Sequence, residues 1–154
     1  MPFDRNQIEA RPALNLVASS EMPQIALDAL EAGLDGKAIR RLAVLERPTY
    51  FEVAEVLPQV LQELGLAQVT TGEAALRIAK GLAEGILQSG DDPLKHLREF
   101  ESLWVRADYD QGVMKLGTLK EHVWVAKSSG QSESKIREWV MATIREFASQ
   151  PKVR

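Results

Sequence analysis

The chain has 154 residues, 45% of them hydrophobic and 27% charged, which is the composition of a globular protein and not of a disordered or collagen-like one. It has no cysteine, so disulfides, thiolate nucleophiles and cysteine-held zinc or iron–sulfur groups are excluded. A formal net charge of −3 argues against a dedicated nucleic-acid binder, whose phosphate contacts call for a basic surface.

One helical domain is expected over residues 1–154, with 1–20 as a loosely docked segment and 150–154 as a frayed tail. The N-terminus has no basic segment followed by an apolar stretch, and no apolar run approaches the ~20 residues of a membrane span, so a cytoplasmic protein is expected. The punctuation predicts an all-α bundle of about seven or eight helices with short connections. Met22-Pro23 opens the first well-marked helix, which carries Ile25, Ala26, Ala29 and Leu30 and stops at Gly33. Asp35 is the expected cap of a short helix whose Ile39, Leu42 and Ala43 face inward.

A longer helix is predicted from Pro48 to Leu64, opened by a capping box of Thr49 and Glu52 and closed by Gly65. Val53, Val56, Leu57, Val60, Leu61 and Leu64 form its apolar stripe, Glu52, Glu55, Gln59 and Gln62 another face, and Pro58 an expected kink. Thr70 and Glu73 repeat the box before a helix carrying Ala75, Ile78, Ala79, Leu82, Ala83 and Ile86. Within it Gly81 and Gly85, one turn apart, predict close approach of a neighbouring backbone.

Asp92-Pro93 opens the next helix, with Leu94, Leu97, Phe100 and Trp104 as its buried stripe. Residues 107–130 admit either a hairpin or helices. The helical reading is taken here, because Thr118 and Glu121 stand at capping-box spacing and Leu119, His122, Val123 and Ala126 keep a helical stripe. The last helix starts near Ser132 and turns Ile136, Trp139, Val140 and Phe147 inward.

Chemistry-bearing patterns are sparse. His96 and His122 are the two histidines, and neither belongs to a spaced metal-binding motif. His96 with Glu99 and Glu101 reads as a solvated pair in preference to a metal site, and His122 as a hydrogen-bonded residue at the core edge. Asp91-Asp92 and Asp108-x-Asp110 read as helix caps in preference to a hydrolytic or cation-binding pair. No nucleophile elbow, Walker loop or dinucleotide fingerprint is present, so no catalytic residue, cofactor or metal is assigned.

Lys37, Arg40, Arg41 and Arg47 form the one basic cluster, on and after the short helix, in a layout that superficially resembles a helix-turn-helix. Glu52 and Glu55 stand where such a motif meets phosphates and would repel a duplex. Trp124 falls off the Leu119 stripe and is the candidate for an exposed anchor. Residues 1–77 carry a net charge of −4 and residues 78–154 one of +1.

Over residues 20–90, the run from Ile25 to Leu45, Phe51-Glu52 and Leu61 to Leu66 resemble a group of small helical bacterial proteins of unknown function. They share an Ala-Leu-x-x-Gly pattern and an Arg-x-Leu-Ala helix, with Val44 where a smaller residue is usual. The resemblance implies a helical fold and no activity.

The expected function is therefore a non-enzymatic protein-interaction module, an adaptor or an immunity-type protein, with a protein partner or self-association. The residues assigned to contact are Arg40, Arg41, Arg47, Glu52, Glu55, Gln59, Gln62 and Trp124. The alternative is a regulatory binder of a small ligand or nucleic acid at Arg40, Arg41 and Arg47.

Overall fold

The computed structural model describes residues 3–66 and 68–150, and among these every regular element is helical. The all-α expectation holds, including residues 107–130, where helices stand and no strand does. The expected tail beyond Gln150 lies outside the described residues. None of the described helices is long and apolar enough to cross a membrane. Contacts divide the chain into two compact units, residues 1–70 and 71–154.

In the first unit α1 (Arg5–Glu9) is capped by Asp4, whose Oδ1 accepts from the Asn6 amide at 2.9 Å. Ile8 of α1 and Leu14 of the following 3-10 turn are buried, so this segment packs on the unit. Three helices make its body: α2 (Met22–Glu31), α3 (Lys37–Ala43) and α4 (Tyr50–Glu63). Ile25, Ala26 and Ala29 of α2 meet Ile39 and Leu42 of α3 and Val53, Val56, Val60 and Leu61 of α4 in one apolar core. The predicted stripes are those that are buried, as helical periodicity requires.

The Thr49–Glu52 capping box forms as expected: Thr49 Oγ1 accepts from the Glu52 amide and Glu52 Oε1 from the Thr49 amide. Asp35 does not cap α3. Gly36 holds the cap position, and Asp35 turns outward to accept the Arg40 guanidinium, which holds its carboxyl below the usual range through that hydrogen bond. Pro58 stands inside α4 and has no amide to offer the preceding turn.

The second unit consists of α5 (Thr71–Ser89), α6 (Leu97–Arg106), α7 (Met114–Gly117), α8 (Leu119–Ser128) and α9 (Glu133–Ser149). α5 packs on α6 and α9, and α6 on α7 and α8. Ala75, Ala79, Ala83 and Ile86 of α5, Leu97, Phe100 and Leu103 of α6, and Ile136, Val140, Ile144 and Phe147 of α9 are buried.

Four details depart from the sequence reading. Gly81 and Gly85 face open space, and the close approach occurs at Gly117, where an added Cβ would overlap the Cβ and ring of Trp104. Thr118 and Glu121 make no capping box; the Thr118 hydroxyl instead donates to the Met114 carbonyl at 2.8 Å. His122 is exposed, because the inward face of α8 is narrowed to Leu119 and Val123. Trp104 and Trp139 are only partly buried. Trp139 donates its ring N–H to Gln131, whereas the buried Trp104 Nε1 has no partner among the described residues.

Candidate interaction surface

The hairpin of α3 and α4 gathers most of the residues singled out by sequence. Its geometry begins with Glu63, the last residue of α4. Its two carboxylate oxygens accept from the backbone amides of Ala38 and Ile39, each at 2.9 Å, in the first turn of α3. Those amides have no partner within their own helix, and a carboxylate suits the positive end of the helix dipole. The bond fixes the end of α4 against the start of α3, so the two helices fold back on each other.

That arrangement opens a cleft of about 480 Å³ between them, with Lys37 and Arg41 on one wall and Gln59, Gln62 and Glu63 on the other. Lys37 and Arg41 have no carboxylate partner among the described residues. Arg40 lines an adjoining recess beside Asp35 and is held by it. Glu52 is engaged in the capping box, and Glu55 stands exposed one turn further along α4.

At the other end of the same helix pair the surface is apolar. Phe51 is 80% exposed, Val44 75% and Tyr50 64%, and the two rings meet edge to face with centroids 5.7 Å apart. Sequence reasoning gave these residues no role. The available signal is that Tyr50 and Phe51, adjacent aromatics at the start of an amphipathic helix, precede the buried stripe that begins at Val53. Between Val44 and Tyr50 lies Arg47, exposed and with φ +44°, in the left-handed region that a side chain bearing a Cβ occupies only at a cost.

The residues of the second unit are arranged differently. Trp124 is 69% exposed on α8 beside the exposed Val125, as the sequence placed it. His96 is held between two carboxylates, Nε2 against Asp91 at 2.9 Å and Nδ1 against Glu99 at 3.0 Å. Burial depresses the imidazole pKa, but hydrogen bonds to Asp91 and Glu99 outweigh it, and the net shift is upward. The carboxylates occupy opposite ring nitrogens and do not converge on a single point where an ion would sit. Asp92 caps the turn at Leu94 and receives Arg137 from α9, Asp110 caps Gly112, and Glu101 pairs with Lys120. Asp91, Asp92, Glu99, Glu101 and Asp110 are thus committed to structural contacts.

Comparison with known proteins gives no match to a family model, to a curated protein or to a solved structure.

Proposed function

We propose that the chain is a non-enzymatic interaction module that docks a protein partner on the α3–α4 corner. The observation that carries this reading is the exposure of Tyr50 and Phe51 together, beside Val44 and Arg47. A lone exposed apolar side chain is ordinary. Two adjacent aromatics left in water at the head of a helix, three residues after an exposed arginine, match the residues that dominate binding energy at protein interfaces.

Arg47 supports the same reading. Its backbone sits where glycine would be unstrained, and strain of this kind is tolerated where a side chain is needed at that place. The exposed carboxylates Glu46 and Glu55 make the corner mixed in charge, which suits a protein surface better than a nucleic-acid backbone.

The test is affinity capture from lysate of the source organism by the tagged wild type and by the double variant Tyr50→Ser, Phe51→Ser, with protein and nucleic acid in the eluate identified separately. The expected result is a stoichiometric protein that the double variant loses and that Trp124→Ser retains. Equal capture by the double variant, or recovery of nucleic acid alone, would overturn the proposal. Both altered side chains are mostly exposed, so thermal stability should stay within ~0.5 kcal/mol of wild type.

A further inference from the structure

We infer that the cleft between α3 and α4 is a receptor for a carboxylate of the docked partner, so that the segment seated on this corner is an acidic one. This rests on the docking reading above and adds the chemistry of what is recognised. Four polar groups line the cleft and have no protein partner among the described residues: the Lys37 ammonium, the Arg41 guanidinium and the side-chain amides of Gln59 and Gln62. The fifth, Glu63, has both oxygens occupied by the α3 amides and pairs directly with neither cation, although its charge offsets one of them. Every uncommitted charge in the cleft is therefore positive.

The chemistry selects the ligand. A guanidinium offers a planar fork of N–H donors that matches a carboxylate bidentately, an ammonium adds a second charge, and primary amides donate to the remaining lone pairs. With the Glu63 charge beneath them, Lys37 and Arg41 leave the cleft with a net of about one positive charge. That suits one carboxylate better than the dense charge of a phosphodiester chain. Glu55 adds a further penalty for any polyanion laid along α4. Because α3 and α4 fold back on each other, the cleft and the Tyr50–Phe51 pair lie at the two ends of one helix hairpin. A segment with an apolar anchor and acidic side chains satisfies both ends.

The experiment is a titration of the 15N-labelled chain with two capped peptides, Glu-Leu-Glu-Phe-Glu and Gln-Leu-Gln-Phe-Gln, followed by the backbone and side-chain N–H signals. Expected are saturable shifts of the Gln59 and Gln62 side-chain amides and the Arg41 Nε–H with the glutamate peptide. The glutamine peptide should bind about tenfold more weakly, the loss of roughly one charge-assisted pair. The variant Lys37→Gln, Arg41→Gln should abolish that difference, and 0.5 M NaCl should reduce it.

Equal binding of the two peptides, with shifts confined to Tyr50 and Phe51, would remove the carboxylate assignment and leave the docking reading standing. Shifts at neither end would remove both. Inorganic phosphate or oligouridylate moving the cleft signals at lower concentration than the glutamate peptide would also overturn the assignment.

Discussion

Glu63 offers the sharpest test of the fold-back that forms the corner. Replacing it with alanine removes the acceptor of two amides, those of Ala38 and Ile39, both bonded at 2.9 Å. Loss of an N-cap costs about 0.5–2 kcal/mol. Two bonds to a charged acceptor place this one toward the upper part of the range, and the half-exposed position, which lets water replace part of the loss, brings it to about 1.5 kcal/mol. For a chain of this size that is a fall in Tm of roughly 3–6 °C. Gly36 supplies the second side of a double-mutant cycle. Its φ of 179° is ordinary extended backbone, so alanine brings no backbone strain there, but the new Cβ would collide with the Glu63 carboxylate. Gly36→Ala should therefore dislodge the same cap and cost about as much as Glu63→Ala, whereas in the Glu63→Ala background it should cost only a few tenths of a kcal/mol. Thermal unfolding of the four proteins, followed by circular dichroism, measures the coupling. Additive costs within ~0.5 kcal/mol, or a Glu63→Ala shift below about 1 °C, would refute the role assigned to Glu63.

Three further outcomes are expected. Gly117→Ala should destabilise the chain by about 1–3 kcal/mol, since the added Cβ meets the Trp104 Cβ and ring and not a movable side-chain end; urea unfolding checks this, and a change under ~0.5 kcal/mol would refute it. Arg47→Gly should leave stability equal or raise it by up to ~1 kcal/mol, because the φ of +44° ceases to cost anything, while it weakens partner capture; a loss of stability would show that the guanidinium serves the fold. The His96 contacts should stabilise the second unit in a bounded pH range. The His96 pKa is raised above the ordinary imidazole value of 6.5, so its contribution is fully present below that pH and is lost as pH rises through the higher folded value; that of Asp91, lowered from 3.8, is present above 3.8 and lost as pH falls through the lower folded value. Wild type should gain Tm relative to His96→Gln on going from pH 8 to pH 6, and identical pH dependence of the two would sink the assignment.

How much of this was legible in the sequence depends on whether the signal is local. Stripes and caps built from neighbouring residues read correctly: the Val53–Leu61 stripe is buried, Thr49 and Glu52 form their box, and Ser132 caps α9 by accepting from the Lys135 amide. The same local logic failed where a competing partner was nearer. Thr118 found the Met114 carbonyl one turn back, and Asp35 found Arg40, so neither caps the helix that its spacing suggested. Arg40, Arg41, Gln59 and Gln62 were picked out for charge and polarity, and the fold gathers Arg41 with both glutamines around one cleft while Asp35 occupies Arg40. Tyr50 and Phe51 were passed over because a helical stripe identifies what is buried and is silent about aromatics placed before it.

The contact that sets the site is a long-range one, yet its two halves are each visible as a local anomaly. α3 begins with Lys37, a cation where the helix dipole favours an anion, and has no acidic residue in its first turn and no side-chain cap. α4 ends with Glu63, an anion where the dipole favours a cation. Taken singly, each is a mild error of design; taken together, the surplus anion of one helix end is the missing anion of the other. The second unit repeats the device with the signs reversed. α9 has no basic residue in its last turn, and the buried Lys80 of α5 donates its ammonium to the Gln150 carbonyl at 2.6 Å just beyond it. A lysine inside the apolar face of a helix is costly unless its charge is met, and the Gln150 carbonyl meets it. In the first unit the start of α3 borrows its cap from the end of α4, in the second Lys80 reaches across to the carbonyl just beyond α9, and at α3 the borrowing leaves Lys37 and Arg41 without a directly paired carboxylate.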